Sequence, residues 1–417
     1  MQSRILHFNV QRGWLISFLL WAVQTRASDW PQFLGPDRNG ACAATNLAET
    51  WPKEGPPIVW RKKIGQGFSG PTVAAGKLIL FHRLDGKETV ECLDAGNGKP
   101  FWTFDYPTGY RDDFGFDEGP RATPAVADGR IFTFGAEGVV HCLDSGTGKK
   151  IWNVNTKAWF ETSKGFFGAA CSPLVDGDAV MLNIGGANGA GIVALDKASG
   201  KVLWKATEDE ASYSSPVSAT LGGRRCAFFL TRNRLVALDP ANGKMFFDFP
   251  WQPRVHASVS AATPLIIGDL IFLSASYETG AVLLRADDNK VEKIWSNDDV
   301  LSNHYATSIH HHGFLYGFDG RQELGQNLRC VELKSGKVRW SEDRFGAGTV
   351  TLVNHNLMVL RENGELILAP ASPEGFKPVA RAQILASGVR AYPALADGHL
   401  YARSKDSLVC IDLRKTK

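Results

Sequence analysis

Adjacent cysteines are missing from this chain although it holds seven Cys, and so are a Cys-x-x-Cys-His run and an Asp-x-Asp-x-Asn-Gly loop. Covalent haem of the usual kind and a helix-loop-helix calcium site are thereby excluded as sequence-encoded features. No apolar run reaches the roughly 20 residues that a bilayer-spanning helix requires. The most apolar stretch, Trp14 to Val23, follows Arg4 and Arg12 and precedes Thr25, Ala27 and Ser28. That order reads as an export signal cleaved near Ala27, and no Cys follows closely enough for a lipoprotein site. Excess charge is missing too. The formal net charge is +3, and residues 1–27 carry Arg4, Arg12 and Arg26 with no acid, so cleavage brings the mature chain to zero. A neutral chain offers no general electrostatic attraction for nucleic acid.

What is present is a turn-rich, aromatic composition: 43 Gly, 20 Pro and 12 Trp among 417 residues. Self-similarity decides how it is used. One phrase recurs, an apolar residue and an acid, then Gly-Lys, then an aromatic: Leu93-Asp94 to Gly98-Lys99 to Trp102, with copies ending at Trp152, Trp204, Phe247 and Trp340 and a weaker one at Trp295. The phrase encodes a hairpin. The acid bonds its own turn backbone, the glycine takes a positive φ, and the aromatic on the returning strand wedges against the next unit. A second phrase precedes each copy, a short apolar strand ended by a turn, beginning at Pro71, Pro124, Pro173, Pro216, Pro264, Ser308, Thr351 and Pro393. These starts lie about 42 to 53 residues apart, the spacing of propeller blades.

Eight units of four antiparallel strands predict an all-β, eight-bladed β-propeller. No Pro/Ser/Gly linker separates the units, which argues against two separate β-domains. The last unit stops after its third strand, Leu408 to Asp412, and an orphan strand, Ile58-Val59-Trp60-Arg61, precedes the first. A ring sealed by that N-terminal strand uses both leftovers. The expected organisation is a signal peptide over 1–27, an extension over 28–55 and the propeller over 56–417. Cys92, Cys142, Cys330 and Cys410 share one repeat position with Ala194 and Ala237, which predicts small buried thiols rather than bridges.

The Gly-Lys-x-x-Trp phrase resembles the tryptophan-docking motif of the quinoprotein-alcohol-dehydrogenase-like superfamily, over nearly the whole mature chain. Asp29-Trp30-Pro31-Gln32-Phe33-Leu34-Gly35-Pro36, Phe116 to Pro124 and Asn363-Gly364-Glu365-Leu366 resemble exported PQQ-like-repeat proteins of planctomycete-type bacteria. That superfamily includes a non-enzymatic scaffold, the accessory lipoprotein of the outer-membrane β-barrel assembly machine. Its dehydrogenases hold pyrroloquinoline quinone (PQQ) and Ca²⁺ on the ring axis, typically with adjacent cysteines above the quinone, a Trp beneath it, and Glu, Asn and Asp around the metal. This chain has no such cysteine pair.

Strand parity locates the working face. With four strands A to D per blade, the D-to-A and B-to-C loops share one face, which carries the long aromatic connections Tyr106 to Arg121 and Trp159 to Phe167. Residues just before each A strand lie nearest the axis: Phe68, Ser69, Arg121, Ser172, Tyr213, His256, His304, Tyr305, Arg390 and Tyr392. These, with Tyr110 of the first long loop, form the predicted ligand site. Arg121 and Arg390 suit an anion clamp, and His256 or His304 acid–base chemistry. The alternative is a channel whose polar groups satisfy each other. Among the loop aromatics, Tyr110, Phe114, Trp159 and Phe160 are surplus to the repeat and so available to a ligand. His310-His311-His312 is expected at a solvated A-to-B turn rather than at a metal. Asp112, Asp113, Asp117 and Glu118 read as exposed loop acids before they read as a Ca²⁺ site. Gly185 to Gly191 joins two strands and fails the context of a phosphate loop. The expected protein is an exported monomer, periplasmic or extracellular, that binds an envelope protein or glycan without catalysis, with no resident metal or cofactor and no assignable catalytic residue. The competing expectation is a PQQ/Ca²⁺-dependent oxidoreductase acting on an alcohol or sugar.

Overall fold

The computed structural model describes residues 29–415 apart from 45, 256–257 and 288. The expected signal peptide therefore lies outside the described residues.

Alternation of apolar and polar residues, punctuated by tight turns, builds eight sheets. The first blade runs Thr72–Ala74, Lys77–Leu84, Lys87–Asp94 and Pro100–Pro107, A to D from the axis outward. The six blades that follow repeat this order. The eighth is completed from the other end of the chain. Ile58–Lys63 pairs antiparallel with Ser407–Asp412, Trp60 standing opposite Cys410, so the ring is closed by its N-terminal strand. The seal removes the free edge that the last sheet would otherwise present.

The repeat phrase works through two neighbouring blades. The Asp94 side chain accepts from the N–H groups of Gly96 and Asn97, shaping the C-to-D turn. Gly98 has φ 71° and a face bare enough for Trp60 of the preceding blade to lie on it, a Cβ there meeting the indole at 2.9 Å. The Trp60 indole N–H donates to the carbonyl of Ala95. Trp102, Trp152, Trp204, Trp295 and Trp340 donate to the next blade in the same way. Each docked ring buries apolar area and satisfies its one donor, which is the combination a buried Trp needs.

The shared Cys/Ala position has a packing reason. Cys92, Cys142, Ala194, Ala237, Cys330 and Cys410 stand in register opposite Trp102, Trp152, Trp204, Phe247, Trp340 and Trp60. A small residue there lets rings from the second and fourth strands approach across it, as Phe132 and Trp152 do at 6.0 Å and Tyr316 and Trp340 at 6.1 Å. All seven cysteines are free.

A belt of hydroxyls ties the inner strands together. Gly70 N–H donates to Thr123 Oγ1, Thr123 N–H to Ser172 Oγ, Ser172 N–H to Ser215 Oγ, and Thr263 N–H to Thr307 Oγ1, each reaching the next blade. Thr307 N–H donates to the Tyr392 hydroxyl. The belt satisfies buried amides that no sheet partner reaches.

The N-terminal segment crosses the axis. Trp30 exchanges backbone hydrogen bonds with Val73, and Pro31 accepts from Val126 N–H, on blades one and two. The Arg38 guanidinium donates to the carbonyls of Ser172 and Pro173 on blade three. Ala41–Cys42 then pairs parallel with Leu352 and Val353 of blade seven. Trp30, Leu34 and Arg38 are buried. The segment thus caps the free edges of inner strands on opposite sides of the ring and fills the channel between them.

Candidate functional site

A cavity of about 200 Å³ opens on the long-loop face, above the N-terminal segment. Phe68, Arg121, Ser172, Tyr213, His304, Tyr305, Arg390 and Tyr392 line it, all from the lead-in to an inner strand. B-to-C loops add Tyr277, Gln322 and Glu323, the first long D-to-A loop adds Phe116, and Phe167 follows from the second. Phe33 of the N-terminal segment stands edge-on to Tyr392 at 5.4 Å and forms part of the wall.

Of the predicted ligand-site residues, two fall elsewhere. Ser69 is completely buried beside the cavity. Tyr110 is buried beneath the Arg121 guanidinium, 4.9 Å from its ring, and lines a separate cavity of about 410 Å³ under the second long loop. His256 lies outside the described residues. Phe33, Phe116, Phe167, Tyr277, Gln322 and Glu323 were not singled out as funnel residues. Phe33 belongs to a segment with no repeat signal, and the B-to-C loops have no fixed spacing from the inner strand.

The cations of the site are committed within the protein. Arg121 donates to the Asp112 carboxylate at 3.2 Å and to the carbonyls of Gly119 and Asp117, with both side chains of the pair buried. Arg390 donates from Nε to Glu362 at 2.5 Å, and Gln322 donates to the same carboxylate. The Arg390 guanidinium also lies 5.3 Å from the rings of both Phe68 and Phe116, an aromatic sandwich favourable to a cation. Arg321 pairs with Glu323 at 3.4 Å and lies over Tyr277.

His304 is buried, its Nε2 3.1 Å from the Tyr277 hydroxyl and its Nδ1 accepting from Gln322 N–H. Burial pushes its pKa down to about 4, against the upward pull of Glu323. The ring is therefore neutral at pH 7, and with Nδ1 accepting, its single N–H is on Nε2 beside the Tyr277 hydroxyl. Tyr213 accepts from the N–H groups of Phe166 and Phe167 and pins the second long loop. The Tyr305 hydroxyl is buried without a protein partner, and burial raises its pKa.

The loop acids are dispersed. Asp112 accepts from the N–H groups of Phe114, Phe116 and Asp117, Asp117 from Gly67 and Gly119, Asp113 meets Lys164, and Glu118 meets Arg111 and Arg83. These contacts turn the four carboxylates to different partners rather than to one ion. His310 and His311 end the inner strand Ile309–His311 and His312 begins the turn after it, on the face of the short turns. Gly185 to Gly191 connects Ala179–Asn183 to Ile192–Asp196.

A bound PQQ with Ca²⁺ would need free cations for its carboxylates and a set of unpaired oxygen ligands for the metal. Here both arginines and the facing carboxylates are paired, no Trp is among the described residues that line the cavity, and the segment from Trp30 to Arg38 lies on the axis. The residues present do not fit that pair.

Residues 86–342 match the family model described as outer membrane protein assembly factor BamB. No curated protein matches significantly. Among solved structures, BamB from Moraxella catarrhalis superposes with TM-score 0.63 at 15% identity, covering 86% of this chain and 99% of that one. Quinohemoprotein alcohol dehydrogenase from Comamonas testosteroni gives TM-score 0.68 at 14% identity, covering 94% and 81%. A computationally designed protein, Ika8, gives 0.58 at 11% identity, covering 86% and 100%. These likenesses establish the fold.

Proposed function

Because this chain belongs to the family described as outer membrane protein assembly factor BamB, we propose that it is a non-enzymatic binding propeller that receives a protein segment in the aromatic funnel of its long-loop face. Its place of work is outside the cytoplasm, on the strength of the export-signal pattern before Ala27. Among the described residues no helix is long and apolar enough to cross a membrane.

One observation carries the reading. Large apolar side chains stand exposed on that face, Phe114 at 56%, Phe116 at 42% and Leu324 at 78%, beside a funnel whose charges are already paired. Exposed aromatics next to a concave apolar surface are the usual anchors of a protein partner. Phe114, Phe116 and Phe167 pack as one cluster with centroids 5.2 to 6.4 Å apart, so they present a firm surface at little entropic cost. The filled channel supports capture at one face rather than passage through the ring.

A photo-crosslinking amino acid placed at Phe116 in the producing cell is expected to yield discrete protein adducts. The same probe at Lys99, in a turn of the opposite face, is expected to yield none. Adducts at both positions alike, or glycan-containing adducts alone at Phe116, would defeat the proposal; a glycan is the competing occupant of the same cup. Dye-linked dehydrogenase activity after addition of PQQ and Ca²⁺ would likewise count against it.

A further inference from the structure

Two hairpin turns on the face opposite the funnel bring together three imidazoles that the fold does not demand. The inner hairpins of blades one, two and eight turn through Ala75-Gly76, Asp128-Gly129 and Asp397-Gly398. Blade six uses His312-Gly313 at this place and blade seven uses Asn354-His355. His355 thus stands where those four turns have glycine and where blades three and five have Asp178 and Asp269. His312 adopts φ 46°, a left-handed conformation that glycine or asparagine takes more readily than histidine.

The two turns face each other across the blade boundary. His311 Nε2 is 3.2 Å from His355 Nδ1. The His311 and His312 rings are 4.0 Å apart, and the His312 and His355 rings lie nearly parallel at 5.9 Å. One nitrogen of each of the three lies within 4.8 Å of the others. His310 is excluded from the group, because its Nε2 accepts the N–H of Gly313. Zinc bound tetrahedrally at about 2.0–2.1 Å from nitrogen sets its ligand atoms roughly 3.4 Å apart. The His311–His355 separation is already close to that.

We propose that His311, His312 and His355 form a site for a divalent transition-metal ion of the zinc class, with three nitrogen ligands from the protein and a fourth position open to solvent. His312 and His355 are exposed, which admits the ion and leaves that fourth position available to water or to a ligand carried by another molecule. The site lies on the opposite face from the proposed binding funnel and stands independently of it.

The test uses the signal-free chain without a polyhistidine tag, stripped with chelator and titrated with zinc chloride in a calorimeter, with Co²⁺ as a visible-absorption reporter of coordination. Binding of one zinc per chain at micromolar affinity or tighter is expected, with intense Co²⁺ bands and a zinc-dependent rise in melting temperature. His355→Gly removes one ligand from an exposed two-residue turn, so it should stay folded and melt close to the parent without zinc while losing affinity tenfold or more. His310→Gln should bind as the parent does. Zinc binding weaker than on the order of 100 µM, or equal affinity in the parent and His355→Gly, would overturn the assignment.

Discussion

Arg121 and Arg390 occupy the same repeat position, before the inner strands of blades two and eight, and read in isolation they are two free forks for an anion. Their surroundings spend them differently. Arg121 closes the first long loop onto itself through Asp112 and two carbonyls, while Arg390 is held between two phenyl rings by Glu362. Losing the first guanidinium would leave the buried Asp112 carboxylate without its cation, a loss of about 3–5 kcal/mol for a buried pair. Arg121→Met is therefore expected to lower the urea midpoint strongly. It is also expected to loosen residues 108–121, visible as faster amide exchange there than in the rest of the ring. An Arg121→Met variant as stable as the parent would show that the pair is not structural. His304 carries a similar lesson: its position near the axis was legible, but its neutral state comes from burial beneath neighbouring loops.

At the level of the blade, stability rests on a ring of one unit lying on a glycine of the next. Trp152 is 8% exposed, faces Gly200 and donates to the Lys197 carbonyl. Truncation to alanine removes area and opens a cavity, about 3–5 kcal/mol. Replacement by phenylalanine keeps most of the area and loses chiefly the hydrogen bond, about 1 kcal/mol. Trp152→Ala should thus shift the urea midpoint several times further than Trp152→Phe, and equal shifts would remove the indole from its docking role. The fourth junction explains itself in these terms. Phe247 has no N–H, and the turn beyond it reads Asn289-Lys290 in place of Gly-Lys, so both halves of the docking pair have changed together. The docking aromatic, the acid and the glycine could be read from spacing alone because they recur. The hydroxyl belt was written in plain view as Thr123-Pro124, Ser172-Pro173, Ser215-Pro216 and Thr263-Pro264. Its meaning stayed hidden, because a donor and acceptor on different blades leave no periodic trace beyond the residue type.

For the whole molecule, closure is the decisive contact. The eighth sheet contains strands from both ends of the chain, and removal of residues 1–63 would strip it of Ile58–Lys63 and bare the edge of Ser407–Asp412. An unpaired edge of that length is a template for association. The truncated protein is expected to elute as aggregates in size exclusion and to melt below either Trp152 variant. A monodisperse truncation of parental stability would refute the seal. The seam has further support where blade seven lacks a docking aromatic and blade eight lacks Gly-Lys. There Ala48 and Lys415 exchange backbone bonds with Leu413 and Asn46, and Trp51 packs on the shared core beside Ala382. The sequence alone determined the number of blades, their strand order, the sealing strand and the face with the long loops. All of these follow from the period of the pattern and from short-range turn chemistry, which the chain writes locally. Only the tertiary structure decided that the N-terminal segment fills the axis, that the two arginines are already paired, and that His355 joins His311 across 44 residues. Such contacts form between blades, at distances set by the curvature of the closed ring, and no single blade's residues contain them.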